Sequence, residues 1–125
     1  MSKGKNITSW IIQALVAALF MMMAVPKLMS DPETVANFTR WGMPEKIYLV
    51  IGSFEILGAI GLLIPRTSAF AAIGLIMIMV GAFFTHVTHN EMMMALMPLI
   101  VMAMLAFVVY VRNPFRKPAV SLGGV

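Results

Sequence analysis

Four apolar stretches dominate this sequence and limit what it can fold into. They cover about residues 8–29, 47–64, 68–88 and 91–111 of the 125 residues. A helix needs about 20 mainly apolar residues to cross a bilayer. Only 11% of the residues are charged, against about 25% in soluble domains. We therefore expect an all-α protein, a transmembrane four-helix bundle built as one membrane domain over residues 1–111.

The polar segment between the first two stretches predicts a short interfacial helix at about residues 32–41. Asp31 can cap such a helix, and Pro32 suits its first turn. Gly42 follows as a natural stop. Trp41 is typical of the aromatic belt at a membrane surface, so we expect this helix to lie along that surface.

The distribution of charge predicts the orientation of the spans. Lys3 and Lys5 precede the first stretch, which is too long for a signal-peptide core and is therefore interpreted as a retained span. Residues 112–125 are predicted to form a cytoplasmic tail. Because basic residues accumulate on the cytoplasmic side, we expect both termini there. The basic residues on that side are Lys3, Lys5, Arg66, Arg112, Arg116 and Lys117.

Composition excludes several classes of function. The chain has no cysteine, which excludes disulfides, thiolate metal ligands, cysteine nucleophiles and electron transfer through its own thiols. The net charge of +4 does not indicate a nucleic-acid partner, because the basic residues lie at the predicted membrane edges. The expected partner is the lipid bilayer.

Glu55 is the residue that most clearly suggests a site. It lies nine residues after Lys46, about 13 Å along a helix, and therefore deep in the second span. An unpaired carboxylate there costs about 2.5–3.5 kcal/mol on insertion scales. Lys27 is the one basic side chain placed inside a span, and His86 is the next candidate partner. We predict that Lys27, Glu55 and His86 line an outward-opening pocket and bind a ligand or handle protons. The alternative, that Lys27 and Glu55 only fix helix register, stays open.

Two further groups of residues are weighed against packing roles. Phe20 and Trp41 are candidates for stacking on a planar ligand. His86 and His89 are spaced i, i+3 and precede a methionine run, a combination that suits copper. Methionine is also ordinary packing material in apolar cores, so no metal site is predicted and these histidines remain the less favoured alternative. No residue is predicted to be catalytic.

Helical spacing also predicts the inner faces of the later spans. Gly52, Gly58 and Gly61 are interpreted as packing positions of the second span. The predicted inner face of the third span comprises Gly74, Ile78, Gly81, Ala82, Thr85, His86 and His89. That of the fourth comprises Ala95, Met102, Ala103, Ala106 and Tyr110.

Several segments in order resemble one family. They are Phe20–Leu28, Asp31–Gly42, Ile51–Gly58, Leu62–Arg66 and Gly81–His86. Together they resemble the DoxX family of small four-span bacterial membrane proteins, in its DoxX-like branch. The resemblance implies a location in the bacterial inner (plasma) membrane. The family takes its name from a subunit of an archaeal enzyme that oxidises thiosulfate and passes electrons to quinone. Lys27, Glu55 and His86 match family positions.

Three functions follow from the residues and the resemblance together. The first is a non-catalytic subunit of a quinone-linked redox system, with quinone as the candidate cofactor, a redox protein as partner and a homo-oligomer as a further option. The second is a structural, assembly or chaperone-like membrane protein without a ligand. The third is a small-solute transporter.

Overall fold

Five α-helices and their turns make up residues 2–113, the part of the chain that the computed structural model describes. No strand occurs within these residues, so the all-α prediction is confirmed. Apart from Arg112 and Asn113, the predicted tail over residues 112–125 lies outside the described residues. The helices are α1 (Lys3–Leu28), α2 (Pro32–Arg40), α3 (Ile47–Leu62), α4 (Ser68–Thr88) and α5 (Met92–Arg112).

Three helices, α1, α4 and α5, are long and apolar enough to cross a membrane, with 26, 21 and 21 residues. The predicted second span is a shorter apolar helix, α3, of 16 residues, about 24 Å long. It ends at Leu62, two residues before the predicted end. Pro65 disfavours helical geometry at the residue before it, and the Thr67 hydroxyl donates to the Gly61 carbonyl at 2.9 Å.

The short interfacial helix α2 forms where the sequence places it. The Asp31 side chain accepts a hydrogen bond from the Thr34 backbone N–H at 3.4 Å, which caps the first turn. Left-handed residues lie on either side of the helix, with φ of 51° at Ser30 and 72° at Gly42. These two turns direct α2 across the ends of the long helices, so that it contacts α1 and α3.

The four apolar helices contact one another in the closed order α1–α3–α4–α5. Phe20, Leu75 and Leu105 are among the fully buried residues of the common core. Close approach of α1 and α3 depends on Gly52, where a Cβ atom would lie 3.0 Å from the Lys27 Cβ. This contact brings the end of α1 beside the middle of α3, and therefore Lys27 beside Glu55.

Of the predicted inner face of α5, Ala95 is buried and Met102 is partly buried against the core, while the other three positions are wrong. Ala103 and Ala106 are exposed, and Tyr110 is 53% exposed. An almost wholly apolar helix carries little contrast between its faces, so spacing alone could not identify the buried one. The face that is buried comprises Ala95, Pro98, Val101, Leu105, Val108 and Val111.

The predicted inner face of α4 matches its core contacts only in part, since Ile78 and Ala82 pack against the core. Gly74 and Gly81 have open space where a Cβ atom would be built. The larger residues Leu75 and Met79 fill the core instead. The buried positions of α4 are Ser68, Ala69, Ala72, Leu75 and Met79.

Candidate functional site

A cavity of about 700 Å³ lies at the end of the domain that carries α2, and residues of all five helices line it. We call it the α2 cavity. Its polar lining combines one ammonium group, one carboxylate, amide and hydroxyl groups and one imidazole. These side chains belong to Lys27, Thr34, Asn37, Glu55, Thr85 and His86. The thioethers in the lining belong to Met23, Met43, Met77, Met79, Met94 and Met97.

Lys27 and Glu55 form an ion pair on the wall of this cavity. The Lys27 Nζ lies 3.1 Å from the Glu55 Oε1, and Glu55 is only 1% exposed. The ammonium also donates a hydrogen bond to the Met23 carbonyl at 3.0 Å. The Glu55 Oε1 accepts no hydrogen bond of normal geometry from the described residues. The pair is therefore matched in charge, while the solvent-shielded Oε1 has no hydrogen bond beyond this contact within the described residues.

His86 does not pair with Glu55 but with Glu91. The His86 Nδ1 lies 2.8 Å from the Glu91 Oε1, and the Trp41 Nε1 donates to the same oxygen at 3.2 Å. The Arg40 guanidinium donates to the other oxygen, Oε2. The Trp41 and His86 rings meet edge to face at 5.4 Å. We call Arg40, Trp41, His86 and Glu91 the Glu91 cluster.

The Glu91 cluster ties the C-terminal end of α2 to the turn between α4 and α5. Glu91 lies at the cap of α5, before the helix begins. Hydrogen bonds from His86 and then Arg40 lower the pKa of its carboxyl group to about 2. The carboxylate is therefore ionised at physiological pH and holds Trp41 and His86 in place at the cavity wall.

The remaining predicted site residues lie in different places. Trp41 lines the α2 cavity, while Phe20 is 0% exposed in the core and is not among the lining residues. His89 has its Nδ1 2.8 Å from the Thr85 carbonyl oxygen, a contact within its own helix end. Within the described residues, no group of three His, Cys, Asp or Glu side chains could hold a metal ion.

Sequence reasoning missed Glu91 and Arg40 as members of the site. Glu91 follows His86 by five residues, across a turn in which Asn90 has φ 59°. Asparagine before an acidic residue at a helix start indicates such a tight turn. Nothing in the pattern of α2 could show that Arg40 reaches this turn, because that contact joins segments 51 residues apart.

A second polar cluster lies at the other end of the domain, where α1 begins and α5 ends. The Gln13 amide donates to the Leu62 carbonyl at 2.6 Å. Its oxygen accepts from Ser9 at 2.7 Å and from the Arg112 Nε at 2.9 Å. The Arg112 Nη1 also donates to the Asn6 side chain at 2.8 Å. We call Asn6, Ser9, Gln13 and Arg112 the Gln13 cluster.

The two charged groups of the cavity wall can bind complementary parts of one small molecule. The Lys27 ammonium can donate to a carbonyl oxygen, and the Glu55 carboxylate can accept from a hydroxyl or amine. Trp41 and the methionine thioethers offer an apolar surface suited to a flat ring. Among the described residues, this is where an organic cofactor with a polar head group fits best.

Comparisons with known proteins agree with the residue pattern. No curated protein and no solved structure gives a significant match to the chain. The comparison with protein families gives a match to the DoxX-like family over residues 11–108, which includes Lys27, Glu55, His86 and Glu91. Since this match covers well over half of the sequence, the chain belongs to the DoxX-like family.

Proposed function

We propose that this DoxX-like membrane protein has four spans arranged as a four-helix bundle. The shorter helix α3 is the second span along the chain and joins α1, α4 and α5. Two observations support this. α3 packs between α1 and α4, so it belongs to the same layer as the three longer helices. The carbonyl of Leu62, the last residue of α3, accepts a hydrogen bond from the Gln13 amide. A backbone group released inside a bilayer needs such a partner, so an early end of α3 is tolerated.

The proposed location is the bacterial inner membrane, with both termini in the cytoplasm and the α2 cavity opening outward. The charges of the described residues support this orientation under the positive-inside rule. At the end where α1 begins and α5 ends, the charged residues are Lys3, Lys5, Arg66 and Arg112. The α2 end carries three basic residues, Lys27, Arg40 and Lys46, alongside the acidic residues Asp31, Glu33, Glu45 and Glu91.

The proposed activity is binding of a quinone-like ligand, as a non-catalytic subunit of a redox system. One observation carries it, namely the Lys27–Glu55 ion pair at 3.1 Å on the wall of a cavity of about 700 Å³. A carboxylate in a purely structural cluster is expected to have all its oxygens hydrogen-bonded. The Glu55 Oε1 lacks such a bond from the described residues.

Each residue of the wall has a defined role in this proposal. Lys27 donates a hydrogen bond to a ring carbonyl, and Glu55 accepts one from the reduced, hydroxyl form of the same ligand. Trp41 contacts the ring. When bound, a quinone would supply the capacity to accept and release two electrons and two protons, and a soluble or membrane redox protein would exchange the electrons.

Binding to the purified full chain in lipid nanodiscs tests the proposal. Quinones quench tryptophan fluorescence, and the chain has only Trp10 and Trp41. In a Trp10→Phe background, decylubiquinone should quench Trp41 saturably. Glu55→Gln should weaken binding of the reduced form, decylubiquinol, measured by competition with the quinone, by about tenfold or more, equivalent to one charge-assisted hydrogen bond.

The matched control is Glu45→Gln, the same chemical change at an exposed carboxylate that does not line the cavity. It should bind as the parent does. Circular dichroism should show that Glu55→Gln remains helical. If decylubiquinone fails to quench the parent saturably, or if Glu55→Gln binds decylubiquinol as tightly as the parent, the proposal is wrong.

One observation favours an assembly role instead. The Lys27 ammonium already bonds the Met23 carbonyl as well as meeting Glu55, as a purely structural pair would. Under that function, Glu55→Gln lowers the melting temperature and the yield together, and no quinone binds. The same two measurements therefore separate the two functions.

A further inference from the structure

A second, apolar space lies on the outside of the domain between α3 and α4. This groove, of about 640 Å³, is lined from Phe54 on α3 to Ile78 on α4. Among the described residues that line it, Thr67 carries the single polar side chain. Gly74 contributes to its width, since a Cβ atom at that position would meet nothing within 4 Å. We call this space the α3–α4 groove.

The groove and the α2 cavity share part of their lining. Met77 and Ile78 line both spaces, so the two adjoin at this point of α4. Met77 is 70% exposed, and it therefore lies where the polar cavity reaches the outer surface of the helices. Glu55 lines the α2 cavity, and its buried Oε1 accepts no hydrogen bond of normal geometry from the described residues.

We infer that the ligand of the α2 cavity is an amphiphile whose apolar tail leaves between α3 and α4. The head group is held at Lys27 and Glu55, and the tail lies in the α3–α4 groove. This inference rests on the proposed function, and it adds the chemical class of the ligand and its route from the bilayer. The occupant of the groove is thus the tail of the bound molecule, and neither an unrelated lipid nor a second copy of the chain.

The lining of the two spaces supports that division of one ligand. The cavity has the charged and hydrogen-bonding groups that a polar head requires, while the groove has none of these except the Thr67 hydroxyl. A tail in the groove exchanges contacts with lipid for contacts with α3 and α4. Its contribution to affinity then depends on a close fit, which small residues such as Gly74 allow.

Gly74→Leu tests the inference, because Gly74 lines the groove and an added Cβ atom there would meet nothing within 4 Å. The probes are decylubiquinone, which carries a ten-carbon tail, and the same benzoquinone head group without a tail. Binding is followed by Trp41 quenching in the Trp10→Phe background, in nanodiscs of phosphatidylethanolamine and phosphatidylglycerol. We expect Gly74→Leu to weaken decylubiquinone binding about tenfold, as overpacking does, and to leave binding of the tailless head group unchanged.

Two further variants complete the design. Leu57→Trp narrows the groove from the exposed side, at a residue that does not line the cavity, and it replaces Gly74→Leu as the test if that variant folds poorly. Since it adds a tryptophan, its binding is measured by competition against the parent. Ala106→Leu is the matched control, a small-to-leucine change on an exposed position of α5 that lines neither space.

The outcomes separate the inference from the proposed function. If both probes bind the parent and Gly74→Leu binds both equally well, the groove holds only surrounding lipid and the inference is overturned while the proposed function stands. Loss of both probes to the same degree, with the helical content intact, overturns it as well. If neither probe binds the parent, both the inference and the proposed function fail.

Discussion

The two ends of the helical domain bury polar side chains in opposite ways. At one end, Gln13 is fully buried, and its amide makes three hydrogen bonds of 2.6–2.9 Å to Ser9, Leu62 and Arg112. At the other end, Glu55 is equally buried and lines the α2 cavity, but among the described residues its Oε1 has only the Lys27 ammonium at 3.1 Å. The first cluster is closed, and the second is open.

This difference distinguishes a structural cluster from a candidate site within one small protein. A fully hydrogen-bonded cluster gains nothing from a further molecule, so its effect is to fix the helices that it joins. A buried carboxylate with spare capacity beside a cavity can gain a bond from a ligand. The Gln13 cluster should therefore control stability alone, and the Lys27–Glu55 pair should control both stability and binding.

The largest expected loss of stability comes from Lys27→Met. Removing one partner of a buried ion pair costs about 3–5 kcal/mol, whereas replacing both by neutral groups is often close to neutral. We expect Lys27→Met to lower the melting temperature sharply and the double variant with Glu55→Gln to recover most of the loss. Thermal melts in nanodiscs provide the measurement. Equal, additive losses in the two single variants would show that the pair is not coupled.

The next effect concerns the closed cluster. Gln13→Leu removes three hydrogen bonds and leaves the Leu62 carbonyl without its side-chain donor, at a cost of about 2 kcal/mol. Binding of decylubiquinone should not change. A variant that melts as the parent does, or that binds less tightly, would contradict the separation of the two ends. Gln13→Glu is a useful companion, since it keeps an acceptor for Arg112 but loses the donor to Leu62.

A smaller effect is expected at the Glu91 cluster, and it depends on pH. The pKa of Glu91 is about 2 in the folded protein, below its ordinary 4.5. Its stabilising contribution is therefore complete above pH 4.5 and is lost as the pH falls from 4.5 towards 2. Glu91→Gln should lower the melting temperature by a few degrees at neutral pH and flatten the acid decline.

The control for that prediction is Glu33→Gln, an exposed carboxylate in the first turn of α2. Melting temperatures measured from pH 7 to pH 3 should show the same acid decline as in the parent. If Glu91→Gln has the parent's decline, Glu91 does not hold α2 to the turn between α4 and α5.

The smallest effect is expected for Ser9→Ala. It removes a single hydrogen bond, to the Gln13 oxygen, which Arg112 continues to occupy. Such bonds contribute about 0.6 kcal/mol on average in membrane proteins. The melting temperature should fall slightly, with ligand binding unchanged. A loss as large as that of Gln13→Leu would mean that the cluster works only as a complete unit.

Most of the secondary structure could be predicted from the sequence. The apolar stretches locate α1, α3, α4 and α5 to within a few residues at most of their ends. Asp31, Pro32 and Gly42 define α2, since capping and turn geometry are local. The start of α1 was misplaced by five residues, because Ser2 caps the helix ahead of the apolar run through a hydrogen bond from the Lys5 backbone.

The candidate site could be predicted only in part. The cost of a bare carboxylate in lipid required a cation near Glu55, and depth along the helices selected Lys27. That argument did not show which of the two side chains, Lys27 or His86, points towards Glu55. His86 instead meets Glu91, and Phe20 enters the core, because both outcomes depend on how helices rotate against one another.

The residues alone define the set of helices and the need to neutralise Glu55. Both follow from the free energy of placing each residue in lipid. The tertiary structure decided which faces of α4 and α5 are buried and which polar groups meet at the two ends. In a bilayer, lipid and protein interior are similarly apolar, so the pattern of hydrophobic residues does not distinguish an inner face from an outer one. Close packing and long-range hydrogen bonds make that choice, and they exist only once the helices are assembled.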